Sequence, residues 1–174
     1  VYYTVTNEEQ NMSDRRLGAL TGRQQVTRVL IAFFSGVLAV LLFHQGVLTI
    51  LHAVGFTSRT PFPIEPTNTM GLPQVWSLAF WGGVWGVVFS LVDRRFPGGA
   101  GYWLCALAFG AIGPSLVAWL VVLPLKGMPA GGGWQLKGLA FGLMVNGAWG
   151  LGHALIFRGL TSGWMHREHS TRTA

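Results

Sequence analysis

Four stretches of this chain contain no Asp, Glu, Lys or Arg: Val29 to Ser58, Pro66 to Val92, Phe96 to Leu125, and Gly138 to Phe157. A helix rising ~1.5 Å per residue needs about 20 residues to cross ~30 Å of hydrocarbon, so each stretch is long enough to span a bilayer. Composition agrees. Only 10% of the residues are charged, where a soluble domain carries about 25%, and the mean hydropathy is +0.45. The expected structure is all-α, a membrane four-helix bundle with spans near 27–53, 73–92, 102–125 and 138–160. A polar tail, 1–26, precedes the spans and another, 161–174, follows them.

The basic residues give this bundle a direction. Arg15, Arg16, Arg23, Arg28, Arg94, Arg95, Arg158, Arg167 and Arg172 fall on one side, and only Arg59, Lys126 and Lys137 on the other. By the positive-inside rule both termini are then cytoplasmic. Topology and attraction to anionic lipid heads account for the net charge of +6, and arginines dispersed over three segments do not form a nucleic-acid surface. The bilayer is the expected partner, with a homo-oligomer or a larger membrane-protein complex left open. The first apolar run is too long for a secretory signal and lacks an A-x-A-like cleavage site, so it is expected to stay as a span. Two readings of the start remain. Glu8-Glu9 can be encoded GAGGAG, which resembles a ribosome-binding site placed just before Met12, making 1–11 an untranslated leader; otherwise 1–11 is a polar tail begun at a GTG codon.

Connections differ in character. Asp93 to Gly99 is a short turn-rich link, which predicts that the second and third spans are antiparallel neighbours. The first outer loop holds Pro61, Pro63, Pro66 and Pro73, and is read as a stiff connector in preference to a lid. Gly131-Gly132-Gly133 marks the second outer loop. Gly83-Val84-Trp85-Gly86 returns further along the chain as Gly147-Ala148-Trp149-Gly150, as a duplicated helical hairpin would produce, although both residue types are abundant enough for coincidence. Small residues recur every four positions at Gly82, Gly86 and Ser90, at Ala106, Gly110, Pro114 and Ala118, and at Gly138, Gly142, Asn146, Gly150 and Ala154. Such rows let helix backbones approach closely. Trp76, Trp103, Trp134 and Trp164 sit near span ends, where interfacial anchors belong.

Chemistry is limited by what the spans lack. One cysteine, Cys105, excludes dithiol mechanisms, and the absence of a mid-span charge removes the usual mark of an ion pathway. No H-E-x-x-H, G-x-S-x-G or P-loop is present, so catalysis is not expected. The ligand-binding candidates are His44, Gln45, Ser115, Asn146 and His153. Helical rise places His44, Asn146 and Ser115 at about 13, 12 and 15 Å from the outer edge, one polar layer that serves either a ligand or interhelical hydrogen bonding, and His153 at about 22 Å. Unequal depths for His44 and His153 argue against a bis-histidine haem, and His44 and His52 face about 80° apart, so no metal and no cofactor is expected.

The segments Phe43-His44-Gln45-Gly46, Leu78-Ala79-Phe80-Trp81-Gly82-Gly83 and Val145-Asn146-Gly147-Ala148-Trp149-Gly150 resemble those of short four-span hypothetical proteins of proteobacterial genomes, a group with no assigned activity. The resemblance covers about Thr27 to Leu160 and implies four spans in a bacterial inner membrane, with no functional residue to carry over. The leading functional expectation is a non-catalytic accessory or assembly component. The alternatives are an oligomeric carrier or channel for a small weakly polar molecule, and a haem- or quinone-binding redox subunit.

Overall fold

The computed structural model describes residues 7–67 and 71–172, with side chains described between 22 and 162. The start-site alternatives for 1–11 and the anchor Trp164 lie outside the described side chains. Four helices are long and apolar enough to cross a membrane: Gly22–Ala53, Gln74–Arg95, Ala100–Leu125 and Leu136–Ser162, the first to fourth helices below. The first begins more than a turn earlier than hydropathy suggests, because helical backbone already runs from Asn7.

Two of these helices change pitch. In the first, a π turn, Val40–His44, interrupts the α-helix before Gln45–Ala53. In the third, Pro114 lies inside Ala100–Val117, and the π turn Ala118–Val122 follows it. Proline has no N–H for the helical ladder, so Pro114 leaves the Gly110 carbonyl without its usual donor. An extra residue in one turn rotates every later side chain by about 100°, so His44 and Gln45 present faces that a uniform helical period does not place.

Close backbone contact pairs the first helix with the second, and the third with the fourth. A Cβ added to Gly36 would run into the Gly82 carbonyl, and one on Gly86 would lie 2.5 Å from the Ala32 carbonyl oxygen. In the other pair, a Cβ on Gly110 would lie 2.6 Å from the Asn146 carbonyl oxygen, and one on Gly150 would strike the Ala106 carbonyl. The small-residue rows therefore form the seams inside two helical hairpins.

The two seams are copies of each other. Shifting first-helix numbers by 74 and second-helix numbers by 64 turns Ala32–Gly86 into Ala106–Gly150, Gly36–Gly82 into Gly110–Asn146, and Phe33–Gly83 into Leu107–Gly147, each an observed contact pair. Both hairpins run in the same sense, so they are related by an approximate two-fold axis parallel to the helices. The same shift exchanges Phe89 and His153, which touch with ring centroids 4.7 Å apart. Residues that a two-fold exchanges can meet only on the axis, so it passes between these two rings.

Between the hairpins, side chains keep the backbones apart. Trp85 and Phe89 meet Phe109 at 5.9 and 5.3 Å, Phe43 covers Gly152, and Trp149 Nε1–H donates to the Gly36 carbonyl at 3.1 Å. The short 93–99 link thus joins neighbours that meet through aromatic rings instead of a close backbone seam. At the arginine-rich end, Arg28 Nη2 pairs with Asp93 Oδ1 at 2.6 Å and its guanidinium lies over Phe157, tying the first, second and fourth helices together.

Candidate functional site

Buried polar groups inside a helix pair need partners, because an unpartnered one costs about 1–3 kcal/mol. Most hydroxyls on these helices find one locally: Thr49 donates to the Gln45 carbonyl, Ser90 to Val87 and Thr161 to Phe157. Ser35 does not. Its hydroxyl is fully buried with no hydrogen-bond partner among the described residues, and both ring nitrogens of the fully buried His153 are likewise without one. The Ser35 backbone flanks the imidazole without forming a bond of good geometry. Trp149 and Phe157 stack on the ring at 5.4 and 5.5 Å, and Phe89 closes its edge. Three orphaned polar atoms thus sit beside the pseudo-two-fold axis. The pair that the two-fold exchanges with it, Phe89 and Phe109, also spans the two hairpins but is apolar and in direct contact.

The expected mid-membrane layer of His44, Asn146 and Ser115 divides. Asn146 Nδ2 donates to Ser115 Oγ at 2.9 Å, a bond between the third and fourth helices. His44 does not join it, and its Nδ1 is buried without a partner among the described residues. The layer rests on depth alone, and the π turn that ends at His44 alters the face this side chain presents without altering its depth much. His153, seven positions beyond Asn146 on nearly the same face, meets the first and second helices instead of the third. Asn146→Ala and Ser115→Ala should each lower thermal stability by about 0.6 kcal/mol, up to about 2, and the double variant by no more than either alone, as a double-mutant cycle in detergent would read.

Gln45 begins a second group toward the opposite end. It is fully buried, its Oε1 accepts the Phe62 N–H at 2.8 Å, and its Nε2 has no partner among the described residues. Phe62 stands between two prolines that have no N–H, so it is the donor this part of the loop can offer. Its φ of 48° costs about 1–2 kcal/mol for a residue with a side chain, a conformation that the bond to Gln45 holds in place. The loop is anchored to the fourth helix too: the Arg59 guanidinium lies 5.0 Å from the Phe141 ring and the Lys137 ammonium 5.4 Å from the Phe56 ring. Each element thus gives the other one cation and one ring, worth about 0.5–1 kcal/mol per pair at exposed sites. The proline-rich loop is therefore a strap laid over the helix ends and not merely the stiff connector expected.

Of the five residues picked from the sequence, Asn146 and Ser115 pair with each other, Gln45 bonds the strap, His44 beside it has a buried Nδ1 without a partner among the described residues, and His153 stands apart on the axis. Ser35 belongs with His153 and was visible only as one intramembrane hydroxyl among several. Phe62 left no signal beyond its two flanking prolines. Among the described residues, no three His, Cys, Asp or Glu side chains converge as a metal site. Comparisons with protein-family models, curated proteins and solved structures find no match for this chain.

Proposed function

We propose that the chain is a non-catalytic membrane carrier for a small, weakly polar molecule, in which two sealed hairpins rock against each other about the axis between Phe89 and His153. One observation carries this reading: the orphaned Ser35 and His153 polar atoms lie where the hairpins meet, at the centre of a duplicated architecture. Repeat-built transporters place substrate sites at the interface between repeats and move one repeat against the other. The division of contacts supports it, since backbone seams make each hairpin rigid while rings and one indole hydrogen bond join them. A haem-binding role gains no support, because both faces of the His153 ring are covered and its nitrogens are enclosed.

A labelling experiment tests this without knowledge of the substrate. In a Cys105→Ser background, Ser35→Cys should react with a membrane-impermeant methanethiosulfonate reagent from either side of a sealed vesicle, as the site opens alternately. Absence of reaction from both sides, while Ser58→Cys in the strap reacts fully, would sink the carrier reading. The nine-to-three division of basic residues supports an orientation with both termini cytoplasmic, in the bacterial inner membrane that the resemblance implies. A C-terminal reporter active only in the cytoplasm should be active, and one active only outside should be silent.

A second reading, as an accessory or assembly component, has an observation of its own. Phe33, Phe34, Phe80 and Trp81 form a continuous run of edge-to-face rings on the outside of the first hairpin, with Phe34, Phe80 and Trp81 more than half exposed. Aromatic side chains are enriched at protein interfaces, and a second membrane protein or a second copy would cover this surface.

A further inference from the structure

We propose that Arg158 and the Tyr102 hydroxyl form a binding site for a phosphate-bearing anion at the arginine-rich end of the bundle, filled in the membrane by the headgroup of an anionic phospholipid. The site is the same whether or not the hairpins rock. Tyr102 is the third residue of the helix Ala100–Val117, and side chains lean toward a helix's N-terminus, so the phenol reaches the level of the helix ends. Its ring packs against Phe89 and Phe96, with centroids 6.4 and 5.9 Å away. Its hydroxyl is buried and, among the described residues, has no hydrogen-bond partner. The Arg158 guanidinium of the fourth helix lies over that same ring, 4.4 Å from its centre, and pairs with no carboxylate among the described residues. An unbonded O–H and a fork of N–H donors thus meet in direct contact. The charges that act on the Tyr102 hydroxyl are Asp93, Arg158 and Arg28, and the carboxylate among them is already taken, since Arg28 Nη2 holds Asp93 Oδ1 at 2.6 Å.

What these donors call for is an anion with several acceptor oxygens. An arginine fork takes phosphate bidentately, and lone pairs left on the same oxygens accept from the phenol. With Asp93 neutralised by Arg28, the charge left over is that of Arg158, which favours a singly charged phosphodiester. Arg158 is an exposed residue, so its guanidinium can shift outward with the phosphate and admit it to the hydroxyl. The surroundings favour a lipid as the source. Leu155, 53% exposed, lies one turn deeper on the same face of the fourth helix as Arg158, so apolar surface continues inward from the cation. A headgroup on Arg158 would lay an acyl chain there, and basic sites between span ends are where anionic headgroups bind.

The probe is phosphatidylglycerol, titrated into the full chain in detergent and counted by native mass spectrometry, with zwitterionic phosphatidylcholine and inorganic phosphate as comparisons. Phosphatidylglycerol should bind saturably and at least about tenfold more tightly than phosphatidylcholine, whose choline cation competes with Arg158 for the phosphate. Tyr102→Phe keeps every charge and the ring contacts with Phe89 and Phe96, so it preserves the fold while removing the hydroxyl. It should weaken phosphatidylglycerol about tenfold and leave phosphatidylcholine unchanged. Arg158→Gln should weaken phosphatidylglycerol about tenfold or more, whereas Arg94→Gln, which removes an exposed cation from the same end, should weaken it about twofold at most. Full affinity in Tyr102→Phe would show that the hydroxyl is not part of the site. Equal losses in Arg158→Gln and Arg94→Gln would reduce the binding to general surface charge, and equal affinity for both lipids would remove the anion site altogether. If inorganic phosphate binds as tightly as phosphatidylglycerol, with the same loss in Tyr102→Phe, the ligand is a free phosphate and the lipid assignment fails.

Discussion

Gly36→Val and Gly110→Val should each cost about 3 kcal/mol or more, which would leave only about 2 kcal/mol to a native state at the lower end of the usual range of about 5–15 kcal/mol. The first Cβ atom already collides, with the Gly82 carbonyl in one hairpin and the Asn146 carbonyl in the other. A backbone carbonyl cannot rotate away as a flexible side chain can, so the helices must separate along the whole seam. The two substitutions strike positions exchanged by the pseudo-two-fold axis, and their costs should therefore be similar. Gly46→Ala is the control: its added Cβ meets nothing within 4 Å, and exchanging a helical glycine for alanine stabilises by up to about 1 kcal/mol. Thermal unfolding in a mild detergent would read all three. Wild-type stability in the two valine variants would mean that the seams do not hold the hairpins together.

These seams were largely legible in the sequence because close packing demands small residues at a fixed spacing, and the rows at Gly82, Gly86 and at Gly142, Asn146, Gly150 lie where the helices touch. The duplication was legible only in part. The offset of 64 is visible in the Gly-x-Trp-Gly pairs, but the partner offset of 74 rests on Ala32 and Gly36 matching Ala106 and Gly110, small residues that signify nothing until their contacts are known. The layer argument rested on depth, and the π turn at Val40–His44 bears on facing. Depth and facing both follow from one helical period, and a single inserted residue changes the face of everything beyond it while leaving depth almost unchanged. His44 therefore stands outside the Asn146–Ser115 bond, with its Nδ1 buried and unpartnered among the described residues. The strap was hidden for another reason: four prolines predict extended backbone but do not say where the N–H groups left between them will find an acceptor.

His153→Phe should stabilise the protein by up to about 2 kcal/mol and at the same time end any binding at the axis. The variant makes the fourth helix repeat the second, since Phe89 occupies the exchanged position and packs there without polar atoms. Two buried nitrogens without partners disappear, a gain of about 1–3 kcal/mol, while a ring larger by one atom must fit beside Gly86 at a cost of about 1 kcal/mol. A polar residue kept where an apolar one would be more stable is the expected mark of a site under functional demand. The sign of the stability change is therefore the decisive measurement. If His153→Phe instead lowers stability by about 2 kcal/mol or more, the nitrogens are satisfied in the folded protein by a bound water that the substitution expels. Ser35→Ala separates that case from simple overpacking, since it removes a hydroxyl without adding volume: it should stabilise by about 1 kcal/mol if Ser35 is orphaned, and destabilise if its oxygen shares that water with His153.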